Sequence, residues 1–285
     1  MFSDVLLTVD YDRTLTAPDS TIPQRNLEAI RWFIENGGAF TVNTGRSMPM
    51  IQCFKEKVPV NAPLLMYNGA VAYDVKKDEL VFAHEIQLDM WKTVEELIAL
   101  FPDLVVEVQA LDKHYNFIPN PAWDAFSAHN CAYGTAEEGQ DLGPFLKFTL
   151  YGEISETNVD HLFRATEEEV RRMDEAERLV NEIYGDKVTV TRAAPRIIDV
   201  QATGVSKATS ARWLQKQLGR SVLVCAGDAE NDVPMLDGAD FAYVPADAIL
   251  KDRYENVCNC ADGAIADIIY EKIPKILNLD LDKRG

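Results

Sequence analysis

The chain has 285 residues, of which 47% are hydrophobic and 26% are charged, and its formal net charge is -18. This composition is typical of a globular protein with one large domain or two of ordinary size, and no apolar run approaches the length of a membrane span. So negative a surface repels polyanions, which argues against nucleic acid as a partner and requires any phosphate site to be a local positive island.

The amino terminus gives no sign of export. It carries Asp4 where a secretory signal carries basic residues, and its apolar segment is short. We therefore expect a cytoplasmic protein with no membrane partner. The five cysteines form an odd set whose only close pair, Cys258 and Cys260, has no recognised zinc or redox spacing, so we expect reduced thiols.

The first predicted element is a buried strand, 5–9, that runs directly into Asp10 and Asp12. In a parallel sheet these carboxylates would lie at the strand's carboxyl end, where ligands bind. Two carboxylates so close repel each other, so a site that keeps both needs a cation or lets one hold a proton. Taken alone, such a pair more often only ends a strand and caps a helix.

Alternating strand and helix patterns continue as far as Phe82. They predict a helix after Pro23, a strand at 39–43, a helix near Pro49, a strand at 64–67 and a hairpin at 71–82. Thr44-Gly45-Arg46 follows the second strand directly.

From His84 to Asp199 the pattern changes. The sequence predicts a helix at 90–101, strands at 105–109, 115–118, 145–151, 188–192 and 196–201, and one or two acidic amphipathic helices within 158–184 whose charges form a solvated face. We expect this segment to be a separate α+β insert.

The alternation resumes near Thr203. Ser206 is a predicted N-cap for a helix to Leu218, and the later elements are a strand at 222–225, a helix at 231–236, a strand at 241–244 and helices at 247–251 and 263–277. The predicted fold is therefore a doubly wound, parallel, Rossmann-like α/β core, residues 1–83 and 200–285, interrupted by the α+β insert, residues 84–199.

Four groups of polar residues would meet at the carboxyl ends of the core strands. They are Asp10 with Asp12, Thr44, Lys207, and Asp228 with Asn231 and Asp232. In this order and spacing they resemble the four motifs of the haloacid dehalogenase superfamily of phosphotransferases. The stretches 68–70, 204–207 and 227–232 are similar to those of its Cof-like sugar phosphatase branch, and the insert would be the family's cap domain.

The resemblance implies a role for each catalytic residue. Asp10 would be the nucleophile that forms an aspartyl phosphate, and Asp12 the acid that protonates the leaving group and then activates water. Lys207 would neutralise charge beside Asp10. These roles match what phosphoryl transfer needs, namely an in-line nucleophile, an acid and positive charge over the phosphoryl oxygens.

The resemblance also implies Mg²⁺ as the cofactor, held by the Asp10 and Asp228 carboxylates, the Asp12 backbone carbonyl and, through a water, Asp232. Few, hard oxygen ligands suit Mg²⁺ better than zinc. The phosphate would be bound by Thr44, Gly45, Lys207, Asn231 and Arg46, although a surface ion pair is nearly as good an explanation for Arg46.

The leading hypothesis is a Mg²⁺-dependent phosphatase that hydrolyses a small phosphorylated metabolite, a sugar phosphate. The alternatives are a phosphomutase and a non-catalytic regulator that binds metal or metabolite. Arg13 and Asp247 stand where the family has Gly and Asn, which keeps the regulator open. We expect Arg13 to be tolerated with φ below zero. The sequence identifies neither the substrate nor the oligomeric state.

Other residues of the insert receive no site role. His84, His114, His129 and His161 have no ligand spacing, and we assign them to packing or solvent. Trp91, Trp123, Tyr115 and Phe117 are predicted to form the insert's apolar core rather than a stacking platform.

Overall fold

The structure is a computed structural model that describes residues 1–52, 55–152, 154 and 164–278. The strands are β1 (Val5–Val9), β2 (Ala39–Val42), β3 (Leu64–Met66), β4 (Val71–Asp74), β5 (Glu79–Ala83), β6 (Val105–Gln109), β7 (His114–Asn116), β8 (Tyr133–Thr135), β9 (Lys147–Tyr151), β10 (Val188–Ala194), β11 (Ile197–Ala202), β12 (Val222–Ala226), β13 (Phe241–Pro245) and β14 (Glu255–Val257). The α-helices are α1 (Gln24–Glu35), α2 (Met48–Ile51), α3 (Met90–Leu100), α4 (Pro121–Ser127), α5 (Glu167–Tyr184), α6 (Lys207–Gln217), α7 (Val233–Asp237), α8 (Ala264–Asp267) and α9 (Ile273–Ile276).

A parallel sheet of five strands, the core sheet, has the order β14-β13-β12-β1-β2. Val9 pairs with Ala226 on one side and Val42 on the other, so the three strands end at the same level. Asp10, the first residue after β1, therefore lies beside the first residues after β12 and β2. The register of three strands thus brings distant parts of the chain to one edge.

Helices cover both faces of the core sheet, as the doubly wound prediction requires. Val5, Leu7 and Val9 belong to the apolar cluster that includes α1 and α8, whereas Leu6 belongs to the cluster that includes α6 and α7. Successive strand residues point to opposite faces, so a strand between two helical layers is buried at every position. This explains why all five residues of β1 are buried.

A second sheet of six strands, the cap sheet, has the order β10-β11-β9-β6-β7-β8 and is antiparallel except between β7 and β8. Alternate residues of its central strands pack on α3 and α5; they are Val106, Val108, Phe148, Leu150, Ile198 and Val200. The residues between them are polar yet buried on the other face; they are Glu107, Gln109, Lys147, Thr149, Asp199 and Gln201. The cap sheet thus presents a polar face, and several of these side chains line a cavity shared with the core.

A three-stranded antiparallel sheet, β3-β4-β5, lies beside the core sheet, with Leu65 bridged to Asn43 at the end of β2. The α/β core with an inserted α+β unit confirms the predicted fold class. No helix in the described part of the chain is long and apolar enough to cross a bilayer. The four cysteines within the described ranges are free thiols.

Several local predictions are confirmed. β1 has the predicted bounds, and Ser206 is the N-cap of α6, where its side chain accepts a hydrogen bond from the Thr209 N–H. Trp123 is fully buried in a small apolar cluster with Phe126 and Tyr151. The predicted acidic helix is α5; residues 155–163, including His161, lie outside the described residues, as does Cys53.

The helix predicted at 247–251 is wrong, because this segment is a series of turns. The N–H groups of Ala248 and Lys251 bond to carbonyls three residues back, and the Leu250 N–H reaches across to the Asp228 carbonyl. A segment this short forms too few helical hydrogen bonds to offset the free-energy cost of nucleating a helix. Tertiary contacts therefore determine its conformation. The sequence pattern does not predict α4, β8 and β14, which are all short.

Candidate active site

Three buried carboxylates meet at the edge of the core sheet. Asp10, Asp228 and Asp232 each offer one oxygen, and these oxygens all lie within 4.8 Å of one another. The Asp10 backbone N–H donates to the Ala226 carbonyl at 2.9 Å. This hydrogen bond continues the β1–β12 ladder by one residue and fixes the position of the Asp10 backbone. The strand register therefore creates the acid cluster that the sequence predicts.

Lys207 supplies the cluster's positive charge. Its Nζ donates to Asp10 Oδ1 and to Asp232 Oδ1, both at 2.6 Å, and its side chain is 1% exposed. Asn43 fixes the start of α6, because its Nδ2 donates to the Lys207 carbonyl at 2.8 Å. A cation in a helix's first turn opposes the helix dipole, and two buried carboxylates offset that cost.

Asp232 also shapes the loop that holds Asp228. Its Oδ2 accepts hydrogen bonds from the backbone N–H groups of Asp228 at 2.9 Å and Ala229 at 3.3 Å. A Cβ at Gly227 would lie 2.5 Å from the Asp232 Cβ, so the close approach requires glycine there. The spacing between Gly227 and Asp232 is thus a packing constraint as well as a chemical one.

The charges of the cluster are unbalanced. Burial raises the pKa of Asp10 to about 7, an effect that Lys207 opposes and Asp232 strengthens. Burial, with Asp10 and Asp232 nearby, also raises the pKa of Asp228 well above its usual range. Three carboxylates share one ammonium group, and their hard oxygen atoms are those that Mg²⁺ prefers. The donor set therefore fits a divalent cation of this kind.

This imbalance predicts how stability depends on pH. A carboxyl group with a raised folded-state pKa stays protonated in the folded state after it ionises in the unfolded state. The protein without divalent cation should therefore lose stability as the pH rises from about 4, the usual value, through about 7, the pKa of Asp10.

The measurement is urea denaturation between pH 4 and 8, with EDTA or with Mg²⁺. Mg²⁺ should reduce the loss at the upper end of this range, because the cation favours the ionised carboxylates. Asp10→Asn should flatten the curve measured in EDTA. A stability that rises with pH through 7 in EDTA, or that ignores Mg²⁺, would contradict the account.

Thr44 and Gly45 lie at the end of β2, at the wall of the cavity. The Thr44 N–H donates to the Leu65 carbonyl at 2.9 Å, and its Oγ1 accepts from the Arg46 N–H at 3.1 Å. Among the described residues the Thr44 hydroxyl has no acceptor for its own hydrogen, which can therefore donate to a ligand. A Cβ at Gly45 would lie 2.9 Å from Asn68 Oδ1, which leaves little room for a larger residue.

Arg46 is not an isolated cation, because it forms an ion pair with Asp12 through two hydrogen bonds. Its Nε and Nη2 each donate to one Asp12 oxygen at 2.8 Å, and its guanidinium carbon lies 4.8 Å from the centre of the Tyr11 ring. The Asp12 side chain is about half exposed, in contrast to the buried Asp10. Arg46 therefore holds the second carboxylate of the motif in place at the mouth of the site.

The prediction that Arg13 has φ below zero is wrong, because its φ is 58° and its ψ is 8°. The chain after β1 makes a wide turn in which the Leu15 N–H bonds to the Asp10 carbonyl. Arg13 completes this turn through its own N–H, which donates to Thr16 Oγ1 at 3.2 Å. The left-handed backbone conformation costs a residue other than glycine roughly 1 kcal/mol of conformational free energy. At Arg13 the hydrogen bonds of the turn impose this conformation.

Arg13→Gly should therefore stabilise the fold by up to about 1 kcal/mol, because glycine adopts this conformation without strain. We expect kcat to stay within a few-fold of wild type and any change to fall mainly on KM, since Arg13 lines the cavity but its side chain is exposed. Urea denaturation and steady-state kinetics would check both values. Arg13→Ala is the control, because it removes the guanidinium but keeps the strain; a less stable Arg13→Gly protein would contradict this account.

A cavity of about 490 Å³ separates the acid cluster from the polar face of the cap sheet. The predicted site residues that line it are Asp10, Asp12, Thr44, Gly45, Arg46, Asp228 and Asn231. Lys207 and Asp232 lie behind them, almost fully buried. The structure thus brings the predicted residues together at one end of a single cavity.

The opposite wall contains residues that the sequence analysis missed. Lys147 Nζ donates to the Gly45 carbonyl at 2.8 Å and to Asp199 Oδ2 at 3.0 Å. His114 Nε2 lies 2.6 Å from Ser47 Oγ, so it is neither a solvent residue nor simple packing. These contacts join the cap sheet to the loop that carries Thr44. The alternation of polar and apolar residues in β6, β9 and β11 was the signal available in the sequence.

The other departure from the family pattern also has a structural partner. Asp247 accepts a hydrogen bond from the Cys260 N–H at 2.9 Å, which ties the turn after β13 to the segment before α8. Its carboxylate is therefore engaged within the core.

Comparison with known proteins gives consistent results along most of the chain. A family model described as haloacid dehalogenase-like hydrolase matches residues 7–269. The 5-amino-6-(5-phospho-D-ribitylamino)uracil phosphatase YcsE of Bacillus subtilis is 21% identical over 90% of this chain and 92% of its own. The Escherichia coli phosphatase YbjI, named for the same compound, is 25% identical over 93% of this chain and 94% of its own.

Solved structures share the fold. The subclass IIB sugar phosphatase BT4131 superposes with a TM-score of 0.72 at 17% identity, over 96% of this chain and 98% of its own. At this identity the likeness concerns the fold.

Proposed function

We propose a function for this chain on the premise that it belongs to the haloacid dehalogenase-like hydrolases, whose family model covers residues 7–269. The match confirms the predicted superfamily. The likeness in fold to a subclass IIB sugar phosphatase supports the proposal that the chain belongs to the Cof-like branch. The function is Mg²⁺-dependent hydrolysis of a small phosphate monoester, a sugar phosphate, through an aspartyl phosphate on Asp10.

The observation that carries the proposal is the setting of Asp10. Its carboxylate is buried, one oxygen is held at 2.6 Å by Lys207, and the residue lines the cavity together with Thr44 and Gly45. A nucleophile held by a cation behind it, and hydrogen-bond donors for phosphoryl oxygens, thus lie at one end of the cavity. Phosphoryl transfer depends on this kind of positioning and charge stabilisation.

In the first step we assign the attack on phosphorus to Asp10 Oδ2, because Oδ1 is engaged by Lys207. The new bond joins Asp10 to phosphorus, and the bond from phosphorus to the ester oxygen breaks. Asp12 donates a proton to that oxygen as it leaves. Thr44 and the backbone near Gly45 donate hydrogen bonds to the phosphoryl oxygens.

In the second step Asp12 takes a proton from a water that attacks phosphorus, and the bond to Asp10 breaks to release phosphate. Arg46 keeps the Asp12 carboxylate at the mouth of the site through two hydrogen bonds of 2.8 Å. Asn231 also lines the cavity, and we assign it to the residues that bind the phosphate. Both steps therefore use residues whose positions are set by the core sheet.

We assign Mg²⁺ to Asp10 and Asp228, with the Asp12 carbonyl as a further ligand and Asp232 acting through a water. The support is the buried acid cluster, whose oxygens lie within 4.8 Å of one another. When bound, Mg²⁺ would offset the charge of the carboxylates and of the phosphoryl oxygens.

We also propose that residues 1–83 and 200–285 form the catalytic core and residues 84–199 the cap domain. The separate cap sheet and its own helical layer of α3 and α5 support this division. The cap then encloses the leaving group of the substrate.

Two alternatives are less well supported. A phosphomutase needs a second phosphate clamp, but Lys147, the described cap lysine at the cavity, is already paired with Asp199 at 3.0 Å. A non-catalytic regulator is disfavoured because Asp10, Asp12 and Lys207 are all present and in contact with suitable partners.

The test is phosphate release from a panel of sugar, nucleotide and cofactor phosphates, with Mg²⁺ and with EDTA. We expect release from sugar phosphates that depends on Mg²⁺. Isomerisation of a sugar phosphate without release would favour the mutase, and metal binding without turnover of any compound would favour the regulator.

A further inference from the structure

Two buried side chains on the cap side of the cavity have polar atoms without a hydrogen-bond partner among the described residues. They are Oε1 of Gln109, a residue 3% exposed at the end of β6, and Oγ of Ser127, a residue 1% exposed at the end of α4. Both residues line the cavity that also contains Asp10. Buried polar atoms are nearly always satisfied. Among the partnerless buried atoms of the described residues, these two belong to residues that line the cavity, so a ligand bound there is the candidate donor or acceptor for them.

The orientation of the Gln109 amide is fixed by its neighbours. Its Nε2 donates to Glu107 Oε1 at 2.8 Å and to Thr149 Oγ1 at 3.2 Å. The Glu107 carboxylate is an acceptor, which also receives Trp123 Nε1 at 2.7 Å, so turning the amide over would oppose two oxygens.

Thr149 gives no alternative donor, because its hydroxyl donates to Asp199 Oδ1 at 2.8 Å. The carbonyl oxygen of Gln109 must therefore accept from a donor outside this network. Ser127 Oγ can both donate and accept. A ligand hydroxyl can therefore donate to Gln109 Oε1, and a ligand hydroxyl can accept from or donate to Ser127 Oγ.

The charge around the pair limits the ligand further. Gln109 and Ser127 are neutral, and Lys147, the lysine on the cap side of the cavity among the described residues, is paired with Asp199 at 3.0 Å. An anionic group placed here would lose its hydration without gaining an unpaired cation. The expected ligand is therefore a neutral, hydroxyl-rich part of the substrate, whereas its phosphoryl group lies at Asp10.

We propose that Gln109 and Ser127 form the subsite that binds a hydroxyl group of a neutral sugar or polyol leaving group, and that they set the enzyme's preference for such phosphate esters. This inference rests on the proposed phosphatase function. The inference goes beyond that function because it names the residues that recognise the leaving group. It also predicts that the leaving group carries no second phosphoryl group.

The experiment compares Gln109→Met and Ser127→Ala with wild type. For each protein, kcat/KM is measured on the best sugar phosphate of the panel and on p-nitrophenyl phosphate, whose leaving group carries no further hydroxyl. Gln109→Met should lower the ratio of kcat/KM for the sugar phosphate to kcat/KM for p-nitrophenyl phosphate about 10- to 100-fold, because a buried group that binds a substrate hydroxyl is lost. Ser127→Ala should lower it roughly 3- to 10-fold.

Gln201→Met is the matched control. Gln201 is also buried with an unpartnered Oε1, and its Nε2 donates to Thr191 Oγ1 at 2.9 Å, but it is not among the residues that line this cavity. The control should leave the ratio at its wild-type value. Circular dichroism would show that each variant is folded.

A second measurement uses the wild-type enzyme alone and does not depend on any variant. Single-deoxy analogues of the best sugar phosphate should include at least one with a clearly lower kcat/KM.

The outcomes separate the inference from the function on which it rests. If wild type hydrolyses sugar phosphates but the variants keep the ratio, or all deoxy analogues react equally, the subsite is refuted and the phosphatase stands. If wild type releases phosphate from no compound, both proposals fail.

Discussion

Asp10→Asn is expected to lower phosphate release by at least roughly 10⁴-fold, the scale on which loss of a catalytic nucleophile is measured. An amide cannot attack phosphorus, and it cannot match the charge of a cation as a carboxylate does. The fold should persist, because Lys207 keeps its 2.6 Å contact with Asp232. Steady-state kinetics with the best sugar phosphate would measure the loss.

Asp252→Asn is the matched control, since this carboxylate is exposed and does not line the cavity. It should retain wild-type activity. Substantial hydrolysis by a folded Asp10→Asn protein would remove the basis for calling Asp10 the nucleophile.

Asp12→Asn should have an effect that depends on the leaving group. A sugar leaves as an alkoxide that needs a proton, so we expect a loss of about 10² to 10⁴-fold in kcat/KM with sugar phosphates. An aryl phosphate such as p-nitrophenyl phosphate has a good leaving group and should lose much less. The measurement is kcat/KM across esters that differ in leaving-group pKa.

Arg46→Lys provides the control for this second prediction. It keeps a positive charge beside Asp12 but loses the paired contact of two 2.8 Å hydrogen bonds. A displaced Asp12 carboxylate should lower kcat/KM for sugar and aryl esters to a similar extent. Loss of the acid should instead lower kcat/KM for sugar esters much more than for aryl esters. Equal losses across all leaving groups in Asp12→Asn would show that Asp12 serves geometry rather than proton transfer.

The core half of the site could be predicted because it depends on short-range rules. One buried strand ends just before Asp10 and another ends two residues before Asp228, which places both residues at one edge of a parallel sheet. Lys207 follows a predictable N-cap, Ser206, so its place at the start of a helix was also accessible. These features need only the strand periodicity and the order of the motifs.

The cap half could not be predicted, because its contacts join residues far apart in the chain. Lys147 meets the Gly45 carbonyl and His114 meets Ser47 only after both sheets have formed. Single polar residues within strands carry no sign of which partner they will find. The alternation in β6, β9 and β11 indicated a polar face but not what that face covers.

The prediction for the Arg13 backbone is wrong for a different reason. The sign of φ at Arg13 depends on a wide turn closed by the Asp10 carbonyl and on a hydrogen bond from the Arg13 N–H to Thr16 Oγ1. An arginine normally argues against a left-handed conformation. The closure of the turn overrides that preference, and only the structure reveals it.

The most direct test of the central claim is to find where the phosphoryl group is carried. Asp12→Asn, mixed with p-nitrophenyl phosphate and Mg²⁺, is quenched in acid within a turnover, digested and mapped by mass spectrometry. The account predicts one phosphoryl group on the peptide that contains Asp10, with none in Asp10→Asn treated alike. Phosphate release with that peptide unmodified, or a phosphoryl group on another residue, would contradict it.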